Sequence, residues 1–101
     1  MFGLNERNVN IVQSVGKDHP VVVKMLIYGS RARGSYRNGS DVDIALVGNE
    51  VTPREVARIS SLLNEELPTP YFYDVIHYDS IVDEDFKKRI AEEGKVIYER
   101  I

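Results

Sequence analysis

The chain contains no cysteine and no tryptophan, and only two histidines, His19 and His77, in 101 residues. Without cysteine there is neither a disulfide framework nor a thiolate metal site. Two histidines are too few for a histidine-rich metal cluster. Long apolar runs are missing too: Val21 to Tyr28 is broken by Lys24, and Ile44 to Val47 is shorter still. Neither approaches the ~20 residues of a membrane span. The start, Met1-Phe2-Gly3-Leu4, lacks the basic and then apolar stretch of a secretory leader. There is also no surplus of positive charge. Lys and Arg number 13 against 16 Asp and Glu, for a net charge of -3, which argues against a protein held on nucleic acid or an anionic membrane by bulk charge. No repeat, low-complexity tract or linker divides the sequence. The expectation is one soluble domain over residues 1–101, in the cytoplasm.

The chain does have enough apolar residues, 43%, to bury about 65% of its extended-chain surface at this size. Val9, Val12 and Val15 share one helical face behind Asn5, so residues 5 to 15 read as a first helix stopped near Gly16. Val21 to Tyr28 is β-branched and apolar and reads as a buried strand. Residues 31 to 40 are too polar for core and read as a loop, either irregular throughout or opening with one helical turn. Asp41 to Val47 alternates with period two, as a strand with one apolar face does. Thr52-Pro53-Arg54-Glu55 opens a helix that turns Val56, Ile59, Leu62, Leu63 and Leu67 inward and ends at Pro68. Tyr71 to Tyr78 is a third strand with Asp74 in its middle. Asp83-Glu84-Asp85 opens a last helix closed by Gly94, and Lys95 to Glu99 is either an extended tail on the sheet or a further helical turn. The expected fold class is α/β (α+β): a small mixed β-sheet, order α-β-β-α-β-α, with helices on one face and the other face open.

Three features carry chemistry. In Asp41-Val42-Asp43 the two carboxylates point the same way along a strand, about 6.6 Å apart. A strand does not favour Asp, and a divalent cation between the two removes their repulsion; Mg²⁺ takes oxygen ligands of this kind together with substrate phosphates. Alone, such a pair is more simply a solvated strand edge. Gly29-Ser30, at the end of the first strand, lets backbone approach a ligand closely and offers a hydroxyl and an N–H to a phosphate oxygen. Alone, it is a turn. Arg31, Arg33 and Arg37 gather three of the chain's eight arginines within seven residues, and guanidinium forks suit phosphate. Alone, they are an exposed basic loop. Together the odds change. Gly29 and Ser30, ten residues, then Asp41 and Asp43 is a pattern that chance composition produces with a probability of about 0.002.

Gly-Ser-x10-Asp-x-Asp resembles the signature of the DNA polymerase β-type nucleotidyltransferase superfamily. The run from Gly29 to Leu46 is similar to its minimal nucleotidyltransferase branch, as are Tyr73-Asp74-Val75-Ile76-His77-Tyr78-Asp79 and the ending Glu93 to Tyr98. The resemblance implies a polymerase β-like fold and nucleotidyl transfer with two Mg²⁺ ions. It implies that Asp41 and Asp43 bind both ions, and that Asp74, on the neighbouring strand, ligates the one that holds the nucleophile. Asp41, Asp43 and Asp74 are thus the expected catalytic and metal-binding residues. Gly29 and Ser30 would hold the β and γ phosphates, with Arg31 and Ser40 completing the nucleotide-binding set. The donor would be ATP or another NTP. Members of the minimal branch are commonly paired with a helical HEPN-domain protein in toxin–antitoxin systems, some adenylylating that partner. The alternative is a non-catalytic antitoxin module that neutralises a partner by complex formation. Nucleic acid is the less favoured acceptor, given the net charge and the absence of a basic stripe.

The remaining polar candidates have plainer accounts. His77 reads as a core or edge histidine, His19 as a solvated turn residue, and Lys87-Lys88-Arg89 as the polar face of the last helix. Tyr71, Phe72, Tyr73 and Tyr78 cannot all face inward from one strand. The outward ones are a candidate homo-oligomer or partner surface.

Overall fold

The first helix, α1 (Glu6–Lys17), starts where Asn5 accepts a hydrogen bond from the Asn8 amide, with Glu6 in its first turn and Lys17 in its last. Both charges suit the helix dipole. Val12 and Val15 face the interior. His19 is half-buried rather than solvated, and its Nδ1 meets the Val15 carbonyl at 2.7 Å. The computed structural model describes residues 1–37 and 39–101; Asn38, expected in the polar loop, lies outside the described residues.

Strand β1 (Lys24–Tyr28) begins three residues later than the apolar run, because the Val22 amide bonds back to the His19 carbonyl in a turn. A single helical turn, α2 (Ser30–Arg33), follows Gly29, and β2 (Val42–Val47) follows the loop. Helix α3 (Pro53–Ser61) is capped by the Thr52 hydroxyl, which accepts from the Glu55 amide. The sequence pattern runs on to Leu67, but after Ser61 the backbone widens into a π-helical turn, Leu62–Glu66, closed by the Leu67 amide on the Leu62 carbonyl. The widening keeps Leu63 buried and aims Asn64 at the next strand, where its side chain bonds both the amide and the carbonyl of Tyr73. That double bond fixes the start of β3 (Tyr73–His77). A short 3-10 turn (Tyr78–Ser80) leads to α4 (Glu84–Glu93). Residues Lys95–Glu99, left open between tail and helix, form strand β4.

The four strands lie in the order β3-β2-β1-β4. β2 and β3 are parallel, with the long crossover that such a pair requires supplied by α3 and the π-helical turn, and the other pairs are antiparallel. With four α-helices and a mixed four-stranded sheet among the described residues, the expected fold class holds. The open second face does not. Met25, Ile27, Ile44 and Tyr73 point into the main core with α1 and α3, but the alternate residues Leu26 and Ala45 pack with Ile90 and Phe86 of α4 on the opposite side. The strands are apolar on both faces at this end of the sheet, so a second layer is needed to keep Leu26 and Ala45 from water.

Ile59 of α3 is fully buried in the main core. Replacing it with Ala should lower unfolding free energy by about 2–5 kcal/mol, read as a reduced denaturation midpoint with an unchanged slope.

Candidate active site

The pleat decides which residues share a face. On β2, Val42, Ile44 and Leu46 enter the main core, so Asp43 projects on the α4 side. On β3, Tyr73 is buried in the main core while Asp74 is exposed. Asp43 and Asp74 are direct partners in the parallel register, and Asp43 faces Tyr28 in the antiparallel register with β1. Neighbouring strands stand about 4.8 Å apart. Tyr28, Asp43 and Asp74 therefore form a row across three strands, with Tyr28 packed beside the α4 layer and Asp74 exposed at the far end. Asp41 is exposed, immediately ahead of β2 and two residues before Asp43.

The like charges act on one another. Asp43 holds its proton above the usual aspartate range, first because it is partly buried, then because Asp74 and Asp41 stand nearby; Arg33 opposes this. Burial, then Asp43 and Asp74, push the Tyr28 hydroxyl far above the ordinary tyrosine range. It therefore remains a neutral hydroxyl at physiological pH.

Gly29 sits against this row. Its φ of 72° with ψ of -149° is backbone that side chains rarely adopt, and a Cβ there would stand 2.6 Å from Asp43 Oδ2. The bare backbone thus leaves space beside the carboxylate. Ser30 opens α2 next to it, half-buried, and its carbonyl accepts from the Ser35 amide. Ser40 Oγ accepts from the Arg37 amide at 2.8 Å.

Arg31, a phosphate-contact candidate in the sequence, is buried at 3% exposure, with Nε, Nη1 and Nη2 all engaged by backbone carbonyls. Arg33 is the cation of this loop that acts on Asp43. It pairs with Glu93 of α4 at 3.1 Å, both partly exposed, a contact of small energy that still marks where α2 meets α4. A cleft of ≈110 Å³ lies there, lined by Tyr28, Gly29, Arg33, Phe86 and Arg89 among others. Tyr28 and Arg89 escaped sequence reasoning. Tyr28 was only the last residue of an apolar strand, and Arg89 only part of a helical charge run.

A larger cavity, ≈530 Å³, lies elsewhere, between α3 and β3, and is lined by residues such as Val56, Ser60, Ile76 and His77 without any carboxylate. His77 itself is tied to the Gly48 carbonyl through Nε2, which is the edge role expected of it.

The donor set of Asp41, Asp43 and Asp74 is all oxygen and fits Mg²⁺, which takes one or two carboxylates and leaves positions for phosphate and water. Among the described residues, no three acidic or histidine side chains close into a ready ligand cage. Burial and then the neighbouring carboxylates raise Asp43, and a divalent cation would relieve the repulsion among them.

Residues 10–101 match the family described as Polymerase beta, Nucleotidyltransferase. The chain belongs to that family. No curated protein is significantly similar in sequence. Among solved structures, a toxin–antitoxin complex with AMP-PNP is similar over 96% of this chain and 75% of its own, with a TM-score of 0.72 and 18% identity. A putative nucleotidyltransferase from Sulfolobus solfataricus is 26% identical, with a TM-score of 0.57, over 91% of this chain and 77% of its own. The MntA–HepT toxin–antitoxin structure is 16% identical, with a TM-score of 0.70, over 95% and 74%. These likenesses establish the polymerase β-like nucleotidyltransferase fold. No helix is long and apolar enough to cross a membrane among the described residues.

Gly29→Ala should destabilise the fold by about 1–3 kcal/mol through backbone strain, seen in chemical denaturation, and displace the Asp43 carboxylate. Asp43 gives a signed pH dependence. Its proton is bound more tightly folded than unfolded, so in metal-free buffer its contribution is most favourable below the unfolded aspartate pKa and is lost as pH rises through the higher folded value. Asp43→Asn carries no such charge. Its thermal midpoint should exceed that of wild type by roughly 2–5 °C at pH 7, with the difference vanishing in acid. A difference constant across pH would refute the electrostatic origin.

Proposed function

We propose that this chain transfers a nucleoside monophosphate, AMP from ATP, to a hydroxyl of a partner protein. The observation that carries the reading is the in-register pairing of Asp43 with Asp74 beside Asp41 and the bare backbone of Gly29. Gly29 and Ser30 bind the β and γ phosphates through an amide N–H and the serine hydroxyl. Two Mg²⁺ ions, held by Asp41 and Asp43 with Asp74 on one of them, would supply positive charge at the entering and leaving oxygens. Asp74, exposed at the edge strand, accepts the proton of the attacking hydroxyl. The acceptor oxygen bonds to the α-phosphorus as the bond to the β-phosphate oxygen breaks, and pyrophosphate leaves. Tyr28, held neutral, adds no negative charge beside the phosphates. The remaining work is positioning and electrostatics.

The partner in this reading is a toxin of the HEPN class, with the chain as its antitoxin. The fold likeness to the MntA–HepT and AMP-PNP complexes supports it. A second reading, neutralisation by binding alone, is favoured by Phe72, which is 59% exposed just ahead of β3 at the sheet edge. An exposed aromatic of this kind suits a protein contact.

Titration calorimetry of ATP separates the two. Wild type should bind ATP only with Mg²⁺ present, and the Asp41→Ala/Asp43→Ala double variant should lose that binding by more than about tenfold. Wild type that binds no NTP under any metal condition would leave the binding-only reading.

A further inference from the structure

Arg31 is the one arginine of its run that faces inward; Arg33 and Arg37 are exposed. Nε and Nη2 both donate to the Ser40 carbonyl, at 3.2 and 2.7 Å, and Nη1 donates to the Phe2 carbonyl at 2.9 Å. The guanidinium lies over two rings, 5.1 Å from the Tyr36 centroid and 4.9 Å from that of Tyr71. A Cβ on Gly3 would stand 2.8 Å from Nη1, so the N-terminal segment rests directly on the group. Among the described residues it forms no ion pair with a carboxylate.

The position of that cation in the fold is what matters. Ser40 shares its peptide bond with Asp41, so the carbonyl gripped by two N–H groups belongs to the plane that orients the first carboxylate. Tyr71 lies just ahead of β3, and the Val42 amide donates to the Phe72 carbonyl at 2.9 Å. Arg31 thus stands between the entries of the two strands that carry Asp43 and Asp74. A buried cation is tolerable only with its N–H groups bonded, and bonds to a charged donor are strong and directional. A planar fork with two open faces meets both needs; a lysine ammonium would not.

We propose that Arg31 is a positioning residue. It sets the Ser40–Asp41 peptide and the spacing of the two strand entries, and so presents the Asp41 carboxylate to the divalent cation without touching phosphate. This rests on the nucleotidyltransferase reading and deepens it.

Arg31→Lys is compared with wild type in two measurements. One is amide hydrogen exchange with no ligand; the other is ATP binding over a Mg²⁺ series. The Ser40 and Val42 amides should exchange about tenfold faster, and the Mg²⁺ needed for half-maximal ATP binding should rise about tenfold. The ATP Kd at saturating Mg²⁺ should stay within about twofold, because phosphate contacts are intact. A tenfold weaker Kd with an unchanged Mg²⁺ requirement would make Arg31 a phosphate ligand and overturn the proposal. Unchanged exchange would overturn it as well. Should wild type bind no ATP, the nucleotide reading falls by itself. Exchange then still decides whether Arg31 holds Asp41, faster exchange supporting it and unchanged exchange refuting it. If Arg31→Lys does not fold, Tyr36→Leu removes one ring face and keeps the hydrogen bonds. It should give the same pattern at about threefold, and no change in either measurement would refute the clamp.

Discussion

Asp43 and Asp74 face each other across a parallel pair of strands, and much of the molecule exists to hold that like-charge contact in place. Left to themselves, two carboxylates at this spacing would part. They are kept there from behind. Val42, Ile44 and Tyr73, which alternate with them, are fully buried against α1 and α3. A slip of one residue in either strand would move these side chains into water and the aspartates into the core. The register is therefore determined by the apolar face, and the acidic face follows. Asn64, reaching from the π-helical turn to both backbone groups of Tyr73, fixes the start of β3 independently.

The opposite face of the sheet is divided. At one end Leu26, Ala45 and Ile90 make a small second core under α4. At the other, Asp43 and Asp74 are left beyond its cover, with Tyr28 at its margin. The junction is marked by the Tyr28–Phe86 ring contact, edge to face at 5.9 Å, and by the Arg33–Glu93 pair that joins α2 to α4. One layer of side chains thus serves as core and as site. The repulsion stored at Asp43 is a stability cost borne by the fold, of the kind that functional sites commonly carry.

The arginines after Gly29 have different surroundings. Arg33 lies in the cleft between α2 and α4, and Arg31 turns inward as the pin between two strand entries. Neighbours in sequence, they point to different neighbourhoods because a one-turn helix rotates each successive residue by about 100°.

Much of this was legible in the residues alone. Periodicity marked the helices and strands, the fold class followed from their order, the spacing from Gly29 and Ser30 singled out Asp41 and Asp43, and the family resemblance added Asp74. What could not be read were matters of where distant segments meet. The second layer under α4 escaped because Leu26 and Ala45 count as ordinary strand residues until a helix is found opposite them. The π-helical widening after Ser61 escaped because its cause is Asn64 reaching for Tyr73, nine residues on. Arg31 looked like a surface phosphate contact because composition says nothing about burial; only the convergence of Phe2, Tyr36, Ser40 and Tyr71 reveals a clamp. Local pattern depends on side-chain period and backbone preference, which sequence carries directly. Facing partners depend on chain paths across the fold, and those exist only once the core has closed.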